Sequence, residues 1–160
     1  MSTVEFSDQD AWPFDLTHPP KKPTRRFALG GRVVLGVVMG LLLIVGVGGW
    51  AVTGCEPKLF GTGPVDAIGK LCQKMGETPQ SFDTIELNEA FAAQSLACIG
   101  ALKLDPAKVN VNGGAIAIGH PIGASGARLA CHISHQIAQN RYSNAIASLC
   151  IGGGMGIAMS

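Results

Sequence analysis

Two glycine-rich turns near the C-terminus carry side chains that could do acid–base chemistry. His120 lies between Gly119 and Pro121, and Cys150 is followed by Ile151 and three glycines, the first of which is Gly152. An imidazole can exchange a proton near neutral pH or donate to a developing oxyanion. A thiol can act as acid or base, and the Gly152 amide could approach an oxyanion because no Cβ blocks it. Alone, each motif is also explained by a structural turn.

Other polar residues have ordinary explanations. Asn88 follows a predicted strand, so its side chain either caps the next helix or holds a water in an active site. His132 and His135 form a His-x-x-His pair with no further ligand nearby, and we expect no metal site. The glycines around His120 lack dinucleotide-fingerprint spacing, and no phosphate-binding Gly-Lys-Ser/Thr loop occurs.

The composition excludes some classes of function. The 160 residues contain 12 basic and 11 acidic side chains, so the net charge is +1. This charge does not indicate the concentrated basic surface that nucleic-acid binding requires. Glycine is frequent, with 22 residues, and only 14% of residues are charged, which favours a buried sheet with tight turns. The five cysteines are an odd number without a Cys-x-x-Cys pair, which indicates a reducing compartment.

Hydrophobic periodicity after Glu56 predicts an α/β domain with a mixed sheet and helices packed on it. An amphipathic helix begins at Gly63-Pro64 and stops at Gly76, where helix ends prefer proline and glycine. A second amphipathic helix begins near Ser125 or Gly126. The remaining predicted elements are a helix over 89–102 and strands over 82–87, 109–118, 145–150 and 155–159.

The N-terminal part differs in character from the rest. Residues 1–32 are charged and broken by prolines, which predicts a flexible tail. Val33–Val52 is uncharged over twenty residues and follows a basic flank, so 33–52 is a transmembrane candidate. Alternatively, residues 43–53 form the first buried strand of the following domain. A lipoprotein cleavage box ending at Cys55 is the least favoured interpretation.

Three motifs occur together in a specific order: Asn88-Glu89-Ala90-Phe91, Gly119-His120-Pro121 and Cys150-Ile151-Gly152-Gly153-Gly154. In this combination the chain resembles the C-terminal domain of the thiolase family, with acetyl-CoA acetyltransferases most similar. The turns at Gly54-Cys55-Glu56-Pro57 and Gly61-Thr62-Gly63-Pro64-Val65 match as well. The resemblance covers residues 50–160. The tail and the apolar segment 33–49 precede this region.

The resemblance implies an acyltransferase that passes acetyl groups between coenzyme A and a cysteine nucleophile, by thioester Claisen condensation or thiolysis. It implies that His120 and a water held by Asn88 form one oxyanion site, and that His120 helps to activate the nucleophile. Cys150 would move the proton at the substrate α-carbon, and Gly152 would supply an amide to a second oxyanion site. It further implies a coenzyme A thioester as substrate, no bound cofactor and a cytoplasmic location.

The family's nucleophile motif and coenzyme A loop have no counterpart in these 160 residues. Cys55, Cys72, Cys98 and Cys131 lie at predicted turn or helix positions without an oxyanion turn. The leading hypothesis is therefore an acyltransferase half, inactive alone, that works with a chain carrying the thiolase N-terminal half. One alternative is a membrane-tethered, non-catalytic interaction protein that keeps the fold. Another is a truncated or fused product.

Overall fold

The computed structural model describes residues 46–160. They form the expected α/β arrangement, a four-stranded mixed sheet with helices on both faces. The strands are β1 (Trp50–Gly54), β2 (Thr84–Leu87), β3 (Ala145–Ile151) and β4 (Met155–Met159). The helices are α1 (Gly63–Met75), α2 (Ala92–Leu102), the single turn α3 (Ala115–Ile118) and α4 (Ser125–Ala138). Short 3-10 helices span Pro57–Thr62, Pro79–Ser81 and Pro106–Lys108.

The sheet has the order β1-β4-β3-β2. β3 pairs in parallel with β2 and antiparallel with β4, and β4 pairs antiparallel with β1. The parallel pair needs a long crossover, which the chain makes through α2, α3 and α4. The antiparallel pair β3–β4 is a hairpin whose turn is the glycine run after Ile151. The hairpin places Cys150 opposite Gly156.

Side chains that alternate along β3 build two cores, one on each face of the sheet. Ile146 joins Ile68 and Leu71 of α1 in the larger core, together with Ile85 and Leu87 of β2. On the opposite face, Leu129 and Ile133 of α4 pack against Ala145 and Ala147. Helices cover both faces, so β2 and β3 are the buried strands of the domain.

The helix α1 follows the sequence prediction closely. It begins at Gly63-Pro64, and Gly76 ends it in the left-handed conformation with a φ of 69°. Its Ile68, Leu71 and Cys72 are buried against the sheet. The helix α4 begins at Ser125 as predicted, because its apolar face has the helical period.

Two predicted elements are wrong in detail. The strand over 109–118 does not form, since Val109 makes one isolated parallel bridge to Ile85 and the chain then turns into α3. The helix predicted to begin at Glu89 begins at Ala92 instead. In both places short hydrogen bonds from polar side chains, described below, replace the regular pattern that periodicity predicts.

The C-terminal end of the apolar run 33–52 belongs to the sheet. Trp50–Gly54 is an edge strand, and the Gly48 amide donates to the Ser160 carbonyl over 2.7 Å. The expected buried strand over 43–53 is therefore displaced to 50–54 and lies at the edge, where Trp50 is exposed. No helix within residues 46–160 is long and apolar enough to span a bilayer. The predicted tail 1–32 and residues 33–45 lie outside the described part.

Candidate active site

His120 lies in the connection between α3 and α4, on an exposed turn. Gly119 before it has a φ of 94°, which a residue with a Cβ rarely adopts, so the sharp exit from α3 depends on glycine. The His120 Nδ1 atom lies 2.6 Å from the Ser125 Oγ atom at the start of α4. The Nε2 atom lies 3.4 Å from the Asn88 Nδ2 atom. The imidazole is thus held between the end of β2 and the start of α4.

Asn88 directly follows β2 and is fully buried. Its backbone amide donates to the Ser148 carbonyl over 2.9 Å, which continues the parallel pairing with β3. The alternative interpretation, that Asn88 caps the next helix, is wrong because α2 begins four residues later with Phe91 as its N-terminal flanking residue. The Asn88 side chain therefore has no capping role, and it lies beside the His120 ring.

A polar anchor that the sequence analysis missed fixes the segment leading to His120. The Asn110 side chain bonds both backbone groups of Leu87, accepting over 2.9 Å and donating over 2.8 Å. It also donates to Glu89, whose other oxygen accepts from the Ile116 amide over 2.9 Å. Asn110 has a φ of 49°, a conformation that asparagine tolerates. The Asn-Gly-Gly sequence at 112–114 signalled a turn here, but not these partners.

Cys150 lies near the end of β3, half-buried, on the face that α2 also covers. Burial raises the pKa of the Cys150 thiol, and the nearby Cys55 raises it further. Burial likewise raises the pKa of Cys98 in α2, and Cys150 also acts to raise it. The Cys98 and Cys150 thiols therefore hold their protons at neutral pH. Cys55 itself contacts the Leu59 carbonyl through Sγ at 3.6 Å.

The glycine run after Cys150 forms the hairpin turn. Gly153 and Gly154 have φ values of 76° and 81°, so this turn requires glycine at both positions. Gly154 also packs against the backbone of Cys55, where a Cβ would lie 2.6 Å from the carbonyl oxygen. Gly152 is exposed, with open space where a Cβ would be.

One cavity of about 360 Å³ brings the predicted residues together. His120, Cys150 and Gly152 line it, and Asn88 lies behind His120. Its six other lining residues are all apolar: Phe60, Ala90, Phe91, Ile122, Leu149 and Ile151. A mainly apolar pocket with a few convergent polar groups is the usual form of a small-molecule site. The four residues come from three separate parts of the chain: the residue after β2, the turn before α4, and the end of β3 with its hairpin turn.

The predicted His-x-x-His pair lies on α4, where its two rings have separate partners. His135 bonds the Gln139 side chain over 2.8 Å, and the His132 Nε2 atom lies 3.3 Å from Asn112 and 3.5 Å from Glu86. Burial lowers the pKa of His132. Glu86 was not singled out from the sequence. The sign that could have identified it is its position as a carboxylate within a short, otherwise uncharged strand. The ring of His132 therefore belongs to a buried polar cluster with Glu86.

Glu86 is only 1% exposed and faces α4 from the centre of β2. Arg128 lies 4.0 Å away, and neither Glu86 oxygen has a hydrogen-bond partner among residues 46–160. Burial raises the pKa of Glu86 to about 7; Arg128 acts in the opposite direction and Glu89 in the same one. The core thus contains a carboxyl group that changes charge near neutral pH.

Comparison with known proteins gives a consistent result. The sequence profile of the family described as "Thiolase, C-terminal domain" matches residues 42–160. The chain is 48% identical over 122 residues to an acetyl-CoA acetyltransferase of Chromobacterium violaceum, covering 76% of this chain and 31% of that protein. It is 49% identical over 111 residues to the human mitochondrial 3-ketoacyl-CoA thiolase, covering 69% and 28%.

Solved structures agree with the sequence matches. A crystal structure of the Bacillus anthracis acetyl-CoA acetyltransferase superposes with a TM-score of 0.68 and 45% identity, covering 71% of this chain and 29% of that one. The human mitochondrial 3-ketoacyl-CoA thiolase in complex with CoA gives a TM-score of 0.67 and 49% identity, covering 69% and 28%.

The fold and the ordered motifs define a thiolase-type C-terminal α/β domain. The chain belongs to the thiolase family, as its sequence motifs indicated. It spans about 30% of the length of the relatives it matches.

Proposed function

We propose that this chain contributes one half of a thiolase-type active site, which acts on coenzyme A thioesters in Claisen condensation or thiolysis. The observation that carries the proposal is the cavity that His120, Cys150 and Gly152 line, with Asn88 directly behind the imidazole. Enolate chemistry requires an acid–base group at the α-carbon and donors at the carbonyl oxygen. These residue types supply both in one place.

In this proposal His120 and Asn88 bind the oxygen of the thioester that becomes an enolate. Their side-chain nitrogens are 3.4 Å apart, so N–H groups on both can reach a single oxygen or a water that relays one of the bonds. A preformed donor of this kind contributes about 3–4 kcal/mol to transition-state stabilisation. His120 also takes part in activating the acyl-accepting nucleophile.

Cys150 transfers the proton at the substrate α-carbon. Its raised pKa keeps the thiol protonated at neutral pH, so the group is ready to protonate an enolate in the thiolysis direction. In condensation it must first lose that proton. Gly152, which lines the cavity, offers its amide to the second carbonyl oxygen. These roles follow from the resemblance and agree with the placement of the residues.

The acyl-carrying cysteine and the binding site for coenzyme A come from a thiolase N-terminal half outside these residues. Large apolar side chains beside the cavity support this part of the proposal, because Phe91 is 60% and Ile122 is 85% exposed. Apolar groups clustered around a site mark a surface that a partner covers. Leu96, Ile116 and Ile118 add to the exposed apolar set.

The proposal is tested by assaying acetoacetyl-CoA cleavage with the purified chain, alone and after mixing with the nucleophile-bearing half of the Chromobacterium violaceum relative. We expect no turnover by either component alone and turnover by the mixture. Replacing His120 by Ala should abolish the turnover of the mixture. Cleavage by the chain alone would contradict the proposal that the nucleophile is supplied from outside.

A further inference from the structure

The side chain of Ser125 makes the shorter of the two polar side-chain contacts of His120. Its Oγ atom lies 2.6 Å from Nδ1, and Ser125 is fully buried. The same Oγ atom lies 3.1 Å from the Pro121 carbonyl oxygen. A serine hydroxyl carries one proton, so it can donate to only one of these two acceptors at a time.

The Pro121 carbonyl is already occupied. It accepts the Ala124 amide over 2.7 Å and the Ser125 amide over 2.8 Å, and a carbonyl oxygen has two lone pairs. A third hydrogen bond to this oxygen at 3.1 Å would be weaker than a hydrogen bond from the Ser125 hydroxyl to an unprotonated Nδ1 at 2.6 Å. When Nδ1 carries no proton, it is therefore the better acceptor for the hydroxyl proton of Ser125.

We infer that Ser125 is a positioning residue that sets the tautomer of His120. With Nδ1 accepting from Ser125, the single proton of the neutral imidazole lies on Nε2, which faces Asn88. The ring is then a hydrogen-bond donor toward the cavity. That its target is a thioester oxygen rests on the proposed function; the tautomer itself does not.

The opposite arrangement is a continuous chain in which Asn88 donates to Nε2, Nδ1 donates to Ser125, and Ser125 donates to Pro121. It needs the hydroxyl to use the longer contact to an occupied carbonyl, and it needs the 3.4 Å contact to Asn88 as a bond. Both of its distinguishing contacts are longer than the 2.6 Å contact, which is common to the two arrangements. We therefore favour the proton on Nε2.

Ser125 also serves the charged ring. When His120 gains a second proton, Nδ1–H donates to Oγ and the hydroxyl turns toward the Pro121 carbonyl. The hydroxyl thus reverses its direction without movement of the backbone. The ring therefore stays in place when it gains or loses its second proton at Nδ1, and Nε2–H remains a donor toward the cavity in both states.

The test is long-range ¹H–¹⁵N NMR of the histidine side chains in the full 160-residue chain, with His120 assigned by loss of its signals in His120→Gln. At a pH where the ring is neutral we expect Nε2 to carry the proton and Nδ1 to be unprotonated. In Ser125→Ala the Nδ1–H tautomer should gain about five-fold relative to wild type, which corresponds to a hydrogen bond of about 1 kcal/mol. In Ser125→Thr the wild-type ratio should return.

A neutral wild-type ring with its proton on Nδ1 would overturn the inference, as would an unchanged tautomer ratio in Ser125→Ala. If the larger Thr side chain perturbs the buried site, the wild-type spectrum and Ser125→Ala still decide the question. The measurement needs neither substrate nor a nucleophile-bearing half. If the mixture with the nucleophile-bearing half is inactive in acyl transfer while the chain shows the Nε2–H tautomer, the proposed function is refuted and this inference stands.

Discussion

Gly156 of β4 lies directly against the backbone of Gly63 at the start of α1, so closely that neither residue has room for a side chain. A Cβ on Gly63 would lie 2.7 Å from the Met155 carbonyl oxygen, and one on Gly156 would overlap the Gly63 carbonyl. Gly156 is also the cross-strand neighbour of Cys150. The contact therefore ties the first helix to the hairpin that carries the proposed acid–base thiol.

Gly156→Ala should lower the free energy of unfolding by about 1–3 kcal/mol or more, because rigid backbone atoms must move to admit the methyl group. Gly69→Ala is a matched control in α1, since its added Cβ would meet no atom within 4 Å. That change should stabilise the helix by up to about 1 kcal/mol. Urea unfolding of both variants measures the difference, and equal effects would refute the contact.

Glu86 should make stability depend on pH. Its pKa is raised from about 4.5 to about 7 by burial, so the folded state binds the proton more tightly than the unfolded chain. The stability it confers is fully present below pH 4.5 and is lost as the pH rises through 7. His132 has a lowered pKa and acts in the opposite sense, adding stability as the pH rises.

The Glu86→Gln variant separates the two effects. Its unfolding free energy relative to wild type should rise by on the order of 2–3 kcal/mol between pH 5 and pH 8. Arg128 and His132 are unchanged in the comparison, so the pH-dependent part of the difference belongs to the carboxyl group. A difference that stays constant over this range would show that Glu86 titrates normally.

Glu89 should hold the segment before His120 in place. Glu89→Ala removes the acceptors of Asn110 and Ile116 and should cost about 2–3 kcal/mol. Hydrogen exchange at the Ile116 amide should accelerate more than exchange in α1. Glu77→Ala is the control, because the Glu77 carboxylate accepts from an exposed Ser81 hydroxyl and should matter far less. Equal exchange in both variants would mean that Glu89 does not anchor the segment.

Cys150 should react slowly with iodoacetamide at neutral pH. Its thiol is half-buried and has a raised pKa, and only the thiolate is reactive. The alkylation rate, obtained by mass spectrometry of the peptide that contains residue 150, should keep rising with pH above 9. Cys150→Ser identifies the site by loss of that adduct. A rate that levels off near pH 7 would indicate a thiolate, and hence a resting base instead of a resting acid.

The sequence predicted the helices best where apolar side chains recur with a single period, as in α1 and α4. It failed where side-chain hydrogen bonds take the place of that period. Residues 109–118 contain enough apolar side chains to suggest a strand. Instead, the Asn110 side chain donates to the Leu87 carbonyl and Glu89 accepts from the Ile116 amide, and the chain turns. Local periodicity contains no information about a partner twenty residues away.

In the candidate site, too, local sequence features were predictable and long-range contacts were not. His120, Cys150 and Gly152 were singled out because glycine turns flank them, and they line one cavity. The contacts that orient them, such as Ser125 on Nδ1, depend on distances that only the fold provides. Glu86 was overlooked because one acidic residue in a four-residue strand has no distinctive spacing.

The central claim is that Cys150, His120 and Asn88 perform the enolate half of an acyl-transfer reaction. It is tested in a chimera in which residues 42–160 replace the matching region of the Chromobacterium violaceum acetyl-CoA acetyltransferase. Two quantities are measured: deuterium exchange at the methyl carbon of the acetyl group of acetyl-CoA, and the release of one equivalent of CoA per active site when the nucleophile is acylated. We predict that the chimera exchanges deuterium, and that Cys150→Ala loses exchange by at least about a hundred-fold while still releasing CoA once. Undiminished exchange in the folded Cys150→Ala chimera would contradict the account.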